Sequence, residues 1–144
     1  MIRVLFDTNV LLDALLAREP FVESAGFLLE AVESRTIEGF ISATTITDVH
    51  YLVGRQTKSA ETAIMAVTRL LALMEICPVD RAVLERAISI GLADFEDAVQ
   101  VACAITAELE TIVTRDLSGF VGSPIPTRSP EELKNLLERE SSPS

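Results

Sequence analysis

Tryptophan is absent from this chain of 144 residues, tyrosine occurs once, and aromatics together make up 5%. A core must therefore be filled by Ala, Val, Leu and Ile, and the apolar content of 49% and mean hydropathy of +0.36 can supply one. Histidine also occurs once, at His50. A lone imidazole argues against a zinc hydrolase or a Ser-His-Asp triad. His50 also lies two residues after Asp48, so on a helix the two face apart. The two cysteines, Cys77 and Cys103, sit in apolar segments without metal-ligand spacing. They read as buried free thiols in a reducing cytoplasm rather than as a disulfide. No apolar run reaches the ~20 residues of a membrane span, and the N-terminus lacks the pattern of a signal peptide. The expected location is the cytoplasm, with no membrane partner.

Positive charge is scarce too. Lys and Arg number 12 against 22 Asp and Glu, a net charge of −10. A generic nucleic-acid coat protein would present a basic face instead. An enzyme acting on nucleic acid stays open, because a divalent cation requires clustered carboxylates. Such a cluster makes the bare chain look more acidic than the loaded site. A chain this acidic also suits a basic partner protein.

The length fits one domain, read here as 1–140, with a disordered tail over 141–144. Val4, Leu5 and Phe6 form a short apolar run typical of a buried strand, and Asp7 follows at once. Thr8 and Asn9 then open an amphipathic helix from about Asn9 to Ala17, broken at Glu19-Pro20. Phe21–Glu33 reads as a helix and Glu38–Ile41 as a strand, with Gly39 near its entrance. A cap-rich junction, Ser42–Thr45, begins a third helix, expected to stop at Gly54. Ser59–Leu73 is a long apolar helix, Glu75–Val79 a strand broken by Pro78, and Asp80 caps a helix to Ile90. After the turn Gly91–Asp94 comes a buried helix, Phe95–Ala107, and then a strand, Thr111–Thr114. Phe120–Pro126 is irregular, with a last strand near Ile125. Ser129 to Glu132 begins a final helix through Glu138. Short strands alternating with helices imply an α/β fold, an α/β/α sandwich around a short-stranded, mostly parallel sheet.

In such a fold, Asp7, Asp48, Asp94, Asp97 and Asp116 all fall at C-terminal ends of strands or near the N-terminal ends of helices. That edge of the sheet is where open α/β proteins bind ligands. Each acid alone also has a local use. Asp7 and Asp94 suit helix caps, Asp48 a solvated helix and Asp116 a turn. Glu96, between Asp94 and Asp97, is expected to point elsewhere. The recurrence of acids at one edge favours a shared cavity. Carboxylates converging there repel unless a cation joins them, and hard oxygen donors suit Mg²⁺ or Mn²⁺.

Four segments carry a resemblance: Phe-Asp-Thr-Asn-Val-Leu-Leu-Asp at 6–13, Ile-Ser-Ala-Thr-Thr-Ile-Thr-Asp at 41–48, Asp-Phe-Glu-Asp-Ala-Val-Gln at 94–100 and Val-Thr-Arg-Asp at 113–116. In this order they resemble PIN domains, above all the VapC-type toxins and their stand-alone relatives. The resemblance covers essentially the whole chain. It implies an α/β/α sandwich and a metal-dependent ribonuclease, in which Asp7, Asp97 and Asp116 hold Mg²⁺ or Mn²⁺. Asp48 stands where the family usually has Glu, one methylene longer, so it would reach a cation through water. Asn9, Thr114 and Asp94 are implied as supporting residues, and Arg115 as a phosphate contact. A toxin reading adds an antitoxin partner and a homodimer, for which the apolar helices over 21–33 and 59–73 are candidate faces. A haloacid-dehalogenase-type phosphatase also starts with a strand ending on Asp, but it wants a second acid where Asn9 stands. The rival outside enzymes is a PIN-fold RNA-binding or scaffolding module with a weakened acidic set.

Overall fold

The computed structural model describes residues 1–141. Of the tail expected over 141–144, Ser141 ends the last helix and 142–144 lie outside the described residues. Val4, Leu5 and Phe6 form the centre of β1 (Arg3–Phe6) and are fully buried. Period-2 alternation sends Val4 and Phe6 into one core and Leu5 into another. A strand covered on both faces must be apolar on both, hence the unbroken run. The same alternation recurs in β2 (Glu38–Ser42), with Phe40 and Ile41 in opposite cores, and in β4 (Thr111–Val113), with Ile112 and Val113. Two short strands, β3 (Glu75–Cys77) and β5 (Thr127–Arg128), form the edges.

The sheet runs β3-β2-β1-β4-β5, and every pairing is parallel. Val4, Phe6, Ile41 and Val113 pack under α1 (Thr8–Leu15), α2 (Val22–Glu33), α3 (Ala43–Thr57), α4 (Ala60–Leu73) and α7 (Pro130–Ser141). The opposite face is covered by α5 (Arg81–Ile90) and α6 (Phe95–Thr106). This is the expected sandwich, with the sheet wholly rather than mostly parallel. The chain leaves β1 toward β2 on one side and later fills β4 on the other. The sheet therefore opens between β1 and β4 at its C-terminal edge, the position where such sheets bind ligands.

Local chemistry sets most boundaries. Ser42, Ser59, Asp80 and Asp94 each cap a helix by accepting the N–H three residues on, an arrangement worth about 1 kcal/mol each. Ser129 and Glu132 close a reciprocal capping box at the start of α7. Cys77 and Cys103 are free and buried, and burial pushes their thiols up to about 11 and about 12.

Three expectations need correction. Gly54 does not stop α3, which runs on to Thr57 and ends at Lys58 in the left-handed conformation, φ 56°. Gly54 faces Ala63 of α4, and a Cβ there would meet Ala63 Cβ at 3.5 Å, an ordinary contact distance, so the helix pair has room for a side chain at this position. The apolar α4 has one side in the core and one side open. Only Ala63 and Leu70 are buried, while Ile64, Met65 and Leu71 are exposed. The last strand lies at Thr127–Arg128 rather than near Ile125, because the Pro126 carbonyl accepts from the Ile112 N–H and sets the register. Before it stands a 3-10 turn, Leu117–Phe120, and α7 continues past Glu138 to Ser141.

Candidate functional site

Asp7 terminates β1 and caps α1. Its backbone N–H still pairs with the sheet, donating to the Val113 carbonyl at 3.0 Å. Its carboxylate, 9% exposed, is held by neutral donors from four places in the chain. Oδ1 accepts from the Thr8 N–H at 2.8 Å and from Gln100 Nε2 at 3.2 Å. Oδ2 accepts from Thr114 Oγ1 at 2.8 Å and from Asn9 Nδ2 at 3.4 Å. Thr114, fully buried, also accepts from the Asp116 N–H at 3.0 Å, and Asn9 Oδ1 accepts from the Arg115 N–H at 3.3 Å. The turn carrying Asp116 is thus tied to Asp7.

Asp7, Asn9, Asp48, Asp94, Asp97 and Asp116 line one open cleft of about 490 Å³. Asp94 caps α6 by accepting from the Asp97 N–H at 3.1 Å. Asp116 accepts from Ser118 Oγ at 2.8 Å and from the Gly119 N–H at 3.3 Å. His50 is exposed and does not line the cleft.

The electrostatics follow from the crowding. Burial first, then the charges of Asp94, Asp7 and Asp116, push Asp97 up to about 6. Glu96 is also in the cleft, against expectation. A hydrogen bond to Asp48, then burial and the charges of Asp48, Asp94 and Asp7, push Glu96 up to about 7. The rule that neighbours one and two apart diverge holds inside a helix. Glu96 and Asp97 are neighbours inside α6, but both stand in its first turn, and the open cleft at that end is lined by both.

Three further residues escaped the sequence reading. Gln100, 2% exposed, donates to both Asp7 and Thr45 Oγ1, and its Oε1 has no hydrogen-bond partner. Gly119 lies against two acids at once, and a Cβ there would come within 2.7 Å of both Asp116 Oδ2 and Asp97 Oδ2. Asp13, wholly buried, takes the Arg115 guanidinium on both oxygens, at 2.6 and 3.2 Å. Arg115 also stacks over Phe21 at 3.9 Å and is not among the residues lining the acidic cleft. Its guanidinium is thus engaged in structure, while the expected phosphate contact would need it free.

Among the described residues, no group of three or more Asp, Glu, His or Cys side chains is arranged to hold a metal ion. The donor set suits a hard divalent cation all the same. Its donor groups are carboxylates, two of them have their pKa raised by burial, hydrogen bonding and neighbouring negative charge, and Mg²⁺ keeps several waters and needs few protein ligands.

The model of the PIN domain matches residues 3–118. The chain belongs to the PIN-domain family. No curated protein matches it in sequence. Solved structures share the PIN fold at low identity. A chain of the VapBC2 complex from Rickettsia felis, bound to a promoter DNA fragment, superposes with a TM-score of 0.69 at 17% identity, covering 89% of this chain and 98% of that one. FitAcB from Neisseria gonorrhoeae gives 0.68 at 22%, covering 89% and 98%. VapC20 from Mycobacterium tuberculosis gives 0.61 at 15%, covering 76% and 86%. No helix among the described residues is long and apolar enough to cross a membrane.

Proposed function

We propose that this PIN domain is an endoribonuclease dependent on Mg²⁺ or Mn²⁺, acting in the cytoplasm as the toxin of a toxin–antitoxin pair. One observation carries the reading: six carboxylates share the cleft where the sheet opens, and among the described residues a single arginine is the only cation lining it. Asp7, Asp97 and Asp116 would hold the metal. When bound, a divalent cation there acidifies water and neutralises charge on a scissile phosphate.

The chain's own residues supply position. Thr114, Gln100, Asn9 and the Thr8 N–H fix both oxygens of Asp7, as the hydrogen-bond partners of a metal-holding carboxylate generally do. Gly119 keeps the gap between Asp97 and Asp116 free of a side chain. Asp48 and Glu96 act as a hydrogen-bonded pair, so Glu96 adds a carboxylate beside the short Asp48.

VapC20 is a sarcin-ricin-loop-cleaving toxin, and a resembling structure from Klebsiella pneumoniae is a toxin–antitoxin complex. These relatives support RNA as substrate and a neutralising antitoxin as partner. Exposed Ile64, Met65 and Leu71 on α4 offer a face that a second copy would cover. The rival, a PIN-fold RNA-binding or scaffolding module, draws on Asp48 standing where Glu is usual.

Cleavage of labelled RNAs in Mn²⁺, Mg²⁺ or EDTA, comparing wild type with Asp7→Asn, separates the two. Cleavage that needs the metal and is lost in Asp7→Asn supports the nuclease. Binding without cleavage under every condition supports the module.

A further inference from the structure

The acidic cleft has a feature its carboxylates do not explain. Tyr51, the only tyrosine of the chain, stands on its wall with 63% of its surface open to solvent. The fold does not require it there, since α3 buries Thr45, Val49 and Val53 on its other side. Leu52 and Leu12 line the cleft as well, so its wall has an apolar part beside the acidic one. Among the described residues, the only basic one lining it is Arg18, from the loop between α1 and α2. Arg18 approaches Asp13 at 3.9 Å, but Arg115 already occupies both oxygens of that carboxylate. Its side chain is one-third exposed and only loosely held.

An exposed aromatic ring and a lightly engaged guanidinium, both at one cleft, match the two parts of an unpaired nucleotide. A ring stacks on a base face that a duplex would keep covered, and an arginine fork fits a phosphate. We propose that Tyr51 and Arg18 grip the RNA, Tyr51 by stacking on an unpaired base and Arg18 by binding a backbone phosphate. The proposal rests on the ribonuclease reading and names the residues that select unpaired RNA.

The test is fluorescence anisotropy of a short labelled single-stranded RNA, and of the same strand in a duplex, with Ca²⁺ in place of the reactive metal. Tyr51→Ala weakens single-strand binding about five-fold or more, the lower end of one lost base stack, while Tyr51→Phe binds as wild type. Arg18→Ala weakens binding and lowers the slope of log affinity on log salt by about 0.7, and Arg18→Lys recovers part of it. Duplex binding is weaker and insensitive to Tyr51. Thermal melting is unchanged in all four variants, because both side chains are exposed or partly so. Alanine variants that bind single strands as wild type does, or Tyr51→Phe failing like Tyr51→Ala, overturn the grip. If wild type still cleaves RNA, only the grip falls. If wild type neither binds nor cleaves RNA, the ribonuclease reading falls with it.

Discussion

Helix α1 carries a buried carboxylate near each end, and the two are compensated in opposite ways. Asp13 is wholly buried and faces cations, with Arg115 on both oxygens and Arg18 at 3.9 Å. Asp7 is nearly as buried and faces only neutral donors, with four further acids and Glu96 around the same cleft. A carboxylate locked to a guanidinium has nothing left to offer a ligand. One oriented by hydroxyl, amide and N–H donors keeps its negative charge in the cleft, where a cation can use it. The difference separates a structural acid from a functional one better than burial does.

The largest expected effect comes from removing charge on the cleft side. Asp97→Asn should lower cleavage by roughly a hundred-fold or more, since a metal's charge stabilisation is worth several kcal/mol. Urea denaturation in EDTA should show it no less stable than wild type, because a crowded carboxylate has been replaced. A large loss of stability would erase the contrast between the two acids.

On the other side, Arg115→Ala strands Asp13 without its main partner in the interior. The cost should be on the order of 3 kcal/mol in urea denaturation, with Mn²⁺ affinity little changed in the protein that stays folded. A stable Arg115→Ala that has lost RNA binding would instead return Arg115 to the phosphate role expected from the sequence.

Gly119→Ala sharpens the picture between these extremes. Its Cβ would crowd Asp97 and Asp116 together, so Mn²⁺ affinity by calorimetry should fall roughly ten-fold, as when a metal site loses its supporting geometry. Unchanged affinity would mean that these two acids do not act on one ion.

The smallest effect is on pH. Asp97 and Glu96 have folded-state values of about 6 and about 7, above the 3.8 and 4.5 of free side chains. The folded protein therefore holds protons that the unfolded chain has released. Their contribution to stability is present below about pH 4 and is lost as pH rises through 6 to 7. Melting in EDTA should drop across that window, Asp97→Asn should flatten the drop, and Mn²⁺ at pH 7.5 should reverse it. A flat profile in wild type would mean the crowding is relieved by solvent.

Much of this was legible in the residues because its causes are local. The run Val4–Phe6 announces a strand covered on both faces. Ser42, Asp80, Asp94 and Ser129 mark helix starts because a cap reaches only three residues along the chain. Gly54 misled for the complementary reason. It sits where α3 lies along α4, beside Ala63, and that support carries the helix on to Thr57, which no local pattern records. Glu96 misled because the facing rule separates side chains around a helix, whereas the first turn of α6 meets a cleft open enough to be lined by Glu96 and Asp97 alike.

By itself the sequence determined the alternation of strands and helices, the order of the four acidic segments and hence the sheet edge to which they belong. Tertiary structure alone decided which polar groups serve which acid. Gln100 and Thr114 reach Asp7 across 93 and 107 residues, and Arg115 reaches Asp13 across 102. Hydrogen bonds and ion pairs act over about 3 Å. Only a fold that brings β1, β4 and α6 together can say whether an acid meets a cation, a neutral donor or another acid.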